Sequence, residues 1–186
     1  SFYHPNAIFV DMNFILSLPN RDFNAGLCES IKKGFIYNKD LFNFIDVNYI
    51  QIKNRNIELL SKIIEQSINI KLELTSNDTY EKSNRLLLNF GHTFGQSIES
   101  YFKINQNIAR HGEAVSIGMI FDTRLSFEYF NKKRLHIEEK LIKILKKYDL
   151  PIKIRNLSKR KINQKTLLNN IFKDKKRLIN GSRFII

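Results

Sequence analysis

The chain has 186 residues, 42% of them hydrophobic, which allows one substantial core but is short for two full domains. Its formal net charge is +13, but the basic residues are spread along the chain and the densest basic run, 158–165, contains no aromatic residue, so nucleic acid is not the expected partner. No uncharged apolar run reaches the length of a membrane span, and the single cysteine, Cys28, excludes an internal disulfide.

In chain order, the sequence predicts a short strand followed by a mainly α-helical body. The apolar run 7–11 has the composition of a strand, and an Asn180-Gly181 pair between two apolar runs predicts a C-terminal β-hairpin over 177–186. We expect Gly34 to end the helix over 22–33, and Pro151 to prevent the helix over 137–145 from continuing. Helical periodicity predicts helices over 22–33, 57–74, 84–101, 112–129, 137–145 and 166–172.

Two motifs in the middle of the chain place polar and metal-binding side chains within apolar helical sequence. The first is NFGHTFGQSIE at 89–99, and the second is HGEAVSIGM at 111–119. On one continuous helix, four polar residues would share a face because they recur at spacings of four, three and four. Such a row needs partners if it is buried. These residues are Arg85, Asn89, His92 and Gln96.

Two glycines flank the histidine of the first motif. A glycine inside a helix costs about 1 kcal/mol relative to alanine, so Gly91 and Gly95 require a reason, such as the close approach of another backbone or of a ligand. No glycine-rich phosphate loop occurs in the sequence, which by itself shows no dinucleotide cradle.

Glu29, His92 and His111 form a candidate metal-binding set. Two imidazoles and one carboxylate can hold an open catalytic zinc site, with a position left for water or substrate. Their spacing is not a compact signature such as His-Glu-x-x-His. On spacing alone, histidines that form hydrogen bonds inside a core explain the pattern at least as well. His4 and His136 have no comparable context.

Together, the two motifs resemble the paired signature of the 3-dehydroquinate synthase family. The resemblance continues in family order through 2–11, 18–34 and 174–176. It implies a mainly α fold, with the helical metal- and substrate-binding C-terminal domain in residues 19–186. Residues 1–18 would be the end of a nucleotide-binding domain and a linker. The remainder of that NAD domain would be a partner of this chain, and a homodimer is also implied.

The resemblance favours zinc, with Co²⁺ as an alternative, because the family's metal ligands correspond to Glu29, His92 and His111. A segment that contacts the nicotinamide of NAD corresponds to Phe14, Ile15, Leu16 and Ser17. The catalytic and substrate-binding positions implied by the resemblance are Lys32, Lys71, Arg85, Asn89, Gln96 and Lys175.

The implied reaction converts 3-deoxy-D-arabino-heptulosonate 7-phosphate to 3-dehydroquinate and phosphate in the shikimate pathway. NAD transiently oxidises a ring hydroxyl, and zinc acts as a Lewis acid on the substrate. The substrate carries a phosphate and a carboxylate, which suits separate cationic anchors. The single cysteine fits a reducing compartment, so the expected location is the cytoplasm, or a plastid or other organelle if an address precedes Ser1.

Three features depart from the family pattern, and one of them is the absence from this sequence of most of the expected nucleotide-binding domain, with its glycine-rich loop. Gln96 stands where the family usually has a second histidine, and an amide cannot transfer a proton near neutral pH. The segment between the two motifs, residues 101–110, is also slightly longer than the family pattern. Two alternatives are another sugar-phosphate cyclase, of the 2-deoxy-scyllo-inosose or valiolone type, and a non-catalytic remnant of the fold. Without the NAD domain, the chain alone is expected to be inactive.

Overall fold

A computed structural model describes residues 6–76, 78, 84–103, 108–131, 136–158 and 162–175. These ranges form nine α-helices and two 3-10 helices, which confirms the predicted mainly α fold. The 3-10 helices are Asn84–Asn89 and Ile154–Asn156. The α-helices are α1 Asn13–Leu16, α2 Asn20–Ile36, α3 Lys39–Val47, α4 Tyr49–Lys53, α5 Ile57–Ser76, α6 His92–Lys103, α7 His111–Tyr129, α8 His136–Lys147 and α9 Gln164–Lys175.

The strand predicted over 7–11 is wrong. These residues are irregular, and Ile8 and Phe9 are 74% and 94% exposed. A strand requires hydrogen bonds to a neighbouring strand, and the described part of the chain contains none. Apolar composition alone therefore does not produce a strand here. The predicted hairpin over 177–186 lies outside the described residues.

The region after α2 differs from the prediction. Gly34 does not end this helix, which continues to Ile36. A Cβ atom at Gly34 would lie 2.8 Å from the backbone nitrogen of Phe42, so the glycine allows α3 to pack closely against α2. Helix α3 was not predicted. It begins where the Asn38 side chain accepts a hydrogen bond from the Leu41 N–H group at 2.9 Å.

The helix predicted over 84–101 is divided in two. Gly91 adopts a φ of 78°, in the left-handed region that favours glycine, and its N–H group donates to Asp122 Oδ2 at 2.6 Å. The 3-10 helix before this point has about three residues per turn, whereas α6 after it has about 3.6. Arg85, Asn89, His92 and Gln96 consequently do not share the face of one continuous helix.

Helix α7 is the central element, and it packs against α2, α6 and α8. Residues 112–120 are all buried. A Cβ atom at Gly112 would overlap the carbonyl of Ala25 in α2, and one at Gly118 would overlap the carbonyl of Gly91. A Cβ at Gly95 would lie 3.1 Å from the Val115 Cα atom. The expected close backbone approach at Gly91 and Gly95 is confirmed.

Helices α2, α3, α5, α7 and α8 contribute to the main hydrophobic core, and a smaller apolar cluster joins α6 to α7. Among the helices that the structure describes, none is both long and apolar enough to cross a membrane.

Candidate metal centre

The three predicted metal ligands come from three different helices. Glu29 lies within α2, while His92 and His111 are the first residues of α6 and α7. One ligand atom from each residue lies within 4.8 Å of the other two. Glu29 Oε1 is 3.6 Å from His92 Nε2 and 3.8 Å from His111 Nε2. The structure therefore brings together the set of residues predicted from the sequence.

The helix packing positions these side chains. The turn at Gly91 starts α6 at His92, and the contact between Gly112 and Ala25 places the beginning of α7 against α2. An ion pair reinforces this second contact. Arg21 Nε and Nη2 donate to the two carboxylate oxygens of Glu113 at 2.6 and 2.7 Å.

Lys32 fixes one side of the Glu29 carboxylate. Its Nζ atom lies 2.8 Å from Glu29 Oε2 and donates to the Leu88 carbonyl at 2.7 Å, and the residue is only 1% exposed. Burial acts to raise the pKa of Glu29, but the Lys32 ammonium and the two nearby imidazoles outweigh it, and the pKa lies below its ordinary value. Glu29 is therefore an ionised carboxylate.

His92 is held in a form that can bind a metal. Its Nδ1 atom lies 3.2 Å from the Phe90 carbonyl oxygen and 3.4 Å from Lys32 Nζ. The carbonyl oxygen is nearer to Nδ1 than the Lys32 ammonium is, and it only accepts hydrogen bonds, so it favours the proton on Nδ1 and the lone pair on Nε2, which faces Glu29. Burial, together with the Lys32 ammonium, lowers the pKa of His92 and favours the neutral imidazole.

The Glu29 carboxylate provides a test of whether the site fits a cation. Oε2 is bound by Lys32, but Oε1 is buried and has no hydrogen-bond partner among the described residues. Leaving such an oxygen unpaired costs about 1–3 kcal/mol or more. A divalent cation between Oε1 and the two Nε2 atoms would remove this cost, and an oxygen with two imidazole nitrogens is a zinc donor set. The residues fit the ion.

The other predicted site residues differ in their exposure and in their contacts with the proposed metal ligands. Lys32 contacts two of the proposed ligands directly, Glu29 and His92. Lys71 on α5 and Gln96 on α6 are exposed. Arg85 and Asn89 are half-buried at the two ends of the same 3-10 helix. Lys175 is the last residue of α9, and its side chain lies outside the described part.

The segment predicted to contact NAD overlaps α1. Phe14 and Leu16 are exposed, whereas Ile15 is half-buried. The guanidinium of Arg55 donates to the carbonyls of Ile15 and Leu18, the latter at 2.6 Å. These bonds hold the segment against the helical body while two of its apolar side chains remain accessible.

Sequence reasoning missed the groups that orient the histidines. Glu99 Oε2 lies 3.0 Å from His111 Nδ1, and the Phe90 carbonyl faces His92. Glu99 could have been noticed as a carboxylate seven residues after a candidate ligand, which is close to two helical turns. A backbone carbonyl leaves no such signal in the sequence.

Among solved structures, the fold is similar to that of ValA, the 2-epi-5-epi-valiolone synthase from Streptomyces hygroscopicus subsp. jinggangensis, determined with NAD⁺ and Zn²⁺ bound. The TM-score is 0.74 at 19% identity, over 90% of this chain and 44% of that chain. At this identity, the likeness establishes the fold alone.

Curated relatives are more similar in sequence. The 3-dehydroquinate synthase of Thermodesulfovibrio yellowstonii is 34% identical, and that of Campylobacter concisus is 36% identical, each over 100% of this chain and 50% of the relative. That of Dictyoglomus thermophilum is 43% identical over 69% of this chain and 36% of its own. The chain thus spans about half the length of the relatives that align with all of it. The family model for the 3-dehydroquinate synthase C-terminal region matches residues 26–177. The chain therefore belongs to the 3-dehydroquinate synthase family.

Proposed function

We propose that this chain is the metal- and substrate-binding half of a 3-dehydroquinate synthase. The reaction would convert 3-deoxy-D-arabino-heptulosonate 7-phosphate to 3-dehydroquinate and phosphate, as a phosphate-eliminating lyase of the shikimate pathway. The observation that carries the proposal is the convergence of Glu29, His92 and His111, with a buried carboxylate oxygen left for a cation. Relatives of the same name at 34–43% identity favour this reaction over that of another sugar-phosphate cyclase.

In this proposal, Glu29, His92 and His111 hold zinc, or Co²⁺ in its place. The bound ion supplies Lewis acidity toward a hydroxyl and a ketone of the substrate. Lys32 keeps Glu29 ionised and fixes its orientation, which leaves Oε1 for the ion. The Phe90 carbonyl retains the proton of His92 on Nδ1, so that Nε2 is the ligand atom.

The remaining polar positions are proposed to bind the two anionic groups of the substrate. Arg85 and the lysines at 71 and 175 are the cations assigned to the phosphate and the carboxylate, with the Asn89 amide as a further donor. Two anchors at a fixed separation would orient the ring for reaction. The Gln96 amide is assigned to the phosphate or to a water beside it. The net charge of +13 would attract a dianion or trianion from a distance.

We place NAD on the half of the relatives that this chain does not span. Residues 14–17 are the proposed contact to the nicotinamide from the helical side, and residues 1–18 are the proposed connection to the nucleotide-binding half. The exposed side chains of Phe14 and Leu16 offer apolar surface for that contact. A second copy of the complete protein is the further partner that we propose.

A chimera provides the test. The half of the Thermodesulfovibrio yellowstonii relative that aligns with this chain is replaced by the chain itself. We expect one zinc ion per chain, measured by elemental analysis, and NAD-dependent release of phosphate from the 7-phosphate substrate, with 3-dehydroquinate as the second product.

Two histidine variants of the chimera serve as a matched pair. His92→Ala is expected to lose both zinc and activity, whereas His136→Ala is expected to retain both because His136 is exposed and contacts only Glu139 among the described residues. If the chimera binds NAD and zinc but releases no phosphate, the proposed reaction is wrong, and the non-catalytic remnant or another cyclase becomes the better explanation.

A further inference from the structure

We propose that Glu99 is a positioning residue, which fixes His111 for metal binding by accepting a hydrogen bond from its Nδ1 atom. The identity of His111 as a ligand rests on the proposed function, whereas the hydrogen bond and its effect on the imidazole do not. Glu99 would act through His111 and would touch neither the ion nor the substrate.

The contacts of the two ring nitrogens indicate which of them carries the proton of His111. Glu99 Oε2 lies 3.0 Å from Nδ1, while Nε2 on the other side of the ring faces Glu29 Oε1 at 3.8 Å. An ionised carboxylate can only accept, so Nδ1 must donate. In a neutral imidazole, Nε2 then has a free lone pair directed toward the other two ligands.

His111 needs such a partner more than the other ligands do. Its side chain is 45% exposed, compared with 18% for His92 and 33% for Glu29, so packing restricts its ring the least. It is also the first residue of α7, so the chain is helical after it but not before it. The hydrogen bond to Glu99 of α6 restrains the orientation of this ring from outside α7.

Glu99 belongs to α6, the helix that begins with His92. The two residues are seven positions apart and lie on the same side of α6, since seven residues make almost two turns. One helix thus supplies a ligand from its first residue and an orienting carboxylate for the ligand of the next helix. The two imidazole rings meet edge to face with their centroids 5.2 Å apart.

Removing the carboxylate has a specific chemical consequence. Without an acceptor at Nδ1, the proton of the neutral ring can reside on Nε2, where it blocks metal binding at that atom. Partners of this kind typically change metal affinity 10- to 100-fold when they are mutated. The effect is on the ligand and does not require a change in the fold.

The chain contains a matched control. His136 Nδ1 and Glu139 Oε2 are also 3.0 Å apart, but their side chains are 89% and 78% exposed and belong to α8. Glu139→Ala makes the same chemical change as Glu99→Ala, at a pair that is outside the set of Glu29, His92 and His111 and where water competes for the hydrogen bond.

The experiment uses the 186-residue chain with ¹⁵N-labelled histidine. In the metal-free chain, at a pH where the imidazoles are neutral, we expect the ¹⁵N spectrum to show His111 protonated on Nδ1. Glu99→Ala should shift the proton toward Nε2, while Glu99→Gln should largely retain it on Nδ1 because the amide oxygen accepts. Glu139→Ala should leave the His111 signals unchanged.

Zinc affinity is then measured by competition with a chelating dye. Glu99→Ala is expected to weaken zinc binding about 10- to 100-fold and Glu99→Gln roughly threefold to tenfold, since glutamine keeps the acceptor but loses the charge. Glu139→Ala should bind zinc as the parent does. Equal thermal midpoints of the metal-free proteins would show that the fold is intact, and the near-isosteric Glu99→Gln serves if the alanine variant is less stable.

The proposal is overturned if the parent chain carries the His111 proton on Nε2, or if both Glu99 variants bind zinc as tightly as the parent. A different result separates it from the proposed function. If the parent shows a Glu99-dependent proton on Nδ1 but binds no zinc, the role of Glu99 in setting the His111 proton stands and the metal-binding function fails.

Discussion

The two carboxylate oxygens of Glu29 have different surroundings, and this difference makes Lys32 important for the fold as well as for the site. Lys32 lies 2.8 Å from Oε2 and is nearly completely buried. Oε1 has no hydrogen-bond partner among the described residues. If the ammonium were lost, the carboxylate would lack its main compensating charge, and its ionised form would be destabilised.

We expect Lys32→Met to lower the free energy of unfolding by about 3 kcal/mol, at the lower end for buried pairs because Glu29 remains partly exposed. Urea denaturation of the metal-free chain measures this change. Lys62→Met is the control, since Lys62 forms an exposed pair with Glu58 at 2.7 Å, and loss of this pair should have a much smaller effect on stability. Similar losses from both variants would contradict this account of Lys32.

Gln96 is the second residue with a distinct prediction. It is exposed on α6, one turn after His92, so a substitution there can act on a bound substrate without disturbing the core. In the chimera described above, we expect Gln96→His to raise the turnover number by up to about 100-fold, because an imidazole can transfer a proton and an amide cannot. Zinc stoichiometry should stay the same.

The kinetic parameters distinguish the roles of this position. A change confined to the Michaelis constant would assign Gln96 to phosphate binding. If neither parameter changes, Gln96 lies outside the working site, and the correspondence between α6 and the family's helix is wrong at this position.

At the level of secondary structure, close contacts between backbones determine where the ligand-bearing helices lie. Gly118 of α7 faces the carbonyl of Gly91, and an added Cβ would also lie 2.9 Å from the Gly95 nitrogen. We expect Gly118→Ala to lower the free energy of unfolding by about 3 kcal/mol, the upper part of the range for overpacking, because backbone atoms cannot move aside as a side chain can. It should also weaken zinc binding by displacing His92.

Gly26→Ala is the matched control for this substitution. A Cβ at Gly26 would meet no described atom within 4 Å, and the residue lies inside α2. Alanine should therefore stabilise the chain by about 0.5–1 kcal/mol through its higher helix propensity. A neutral Gly118→Ala variant in the same denaturation experiment would show that α6 and α7 are less closely packed than the structure indicates.

Tyr148 joins the end of α8 to α3 and makes this contact sensitive to pH. Its hydroxyl donates to the Ile45 carbonyl at 2.8 Å. Burial raises the pKa of the phenol, and the nearby Asp46 carboxylate raises it further. Since the folded state favours the neutral phenol, its contribution to stability is complete below about pH 10, the ordinary pKa of tyrosine, and is lost as the pH rises toward the folded value.

The measurement compares the free energy of unfolding between pH 9 and 11 for the parent and Tyr148→Phe. The variant should be about 1 kcal/mol less stable at pH 8 through the lost hydrogen bond, and its stability should fall less steeply with rising pH. Parallel curves for the two proteins would argue against a buried neutral phenol.

Much of this arrangement could be predicted from the sequence, and the failures have identifiable causes. The ligands were found because their residue types occur in family motifs, and the long amphipathic helices were found because periodicity extends over several turns. The break at Gly91 was missed because it depends on a hydrogen bond from the Gly91 N–H group to Asp122, which is distant in sequence. The run 7–11 resembled a strand because composition does not reveal whether a partner strand is present.

For the molecule as a whole, all three proposed metal ligands lie within this chain. The relatives that align with the full chain are about twice its length. We expect the 186-residue chain, supplied with zinc and NAD, to release no phosphate from the 7-phosphate substrate. Without oxidation by a bound nicotinamide, the proton to be removed is not acidic enough for elimination under mild conditions.

A phosphate assay tests this expectation, with His92→Ala defining the background. Release above that background by the chain alone would show that the nucleotide-binding half is unnecessary. The positive control is co-expression of the chain with the half of the Thermodesulfovibrio yellowstonii relative that does not align with it. Phosphate release in that experiment should depend on both polypeptides.

The wide separation of Glu29, His92 and His111 along the chain also has a consequence for the order of folding. Single helices form within about a microsecond, whereas contacts between distant segments form later because long loops must close first. The three side chains come from three different helices, so tight binding of a metal must follow the docking of α7 onto α2 and of α6 onto α7. If the proposed ligands hold zinc, unfolding of the zinc-bound protein would have to reverse that docking and also break their bonds to the ion. Zinc should therefore lengthen the lifetime of the folded chain more than it accelerates folding.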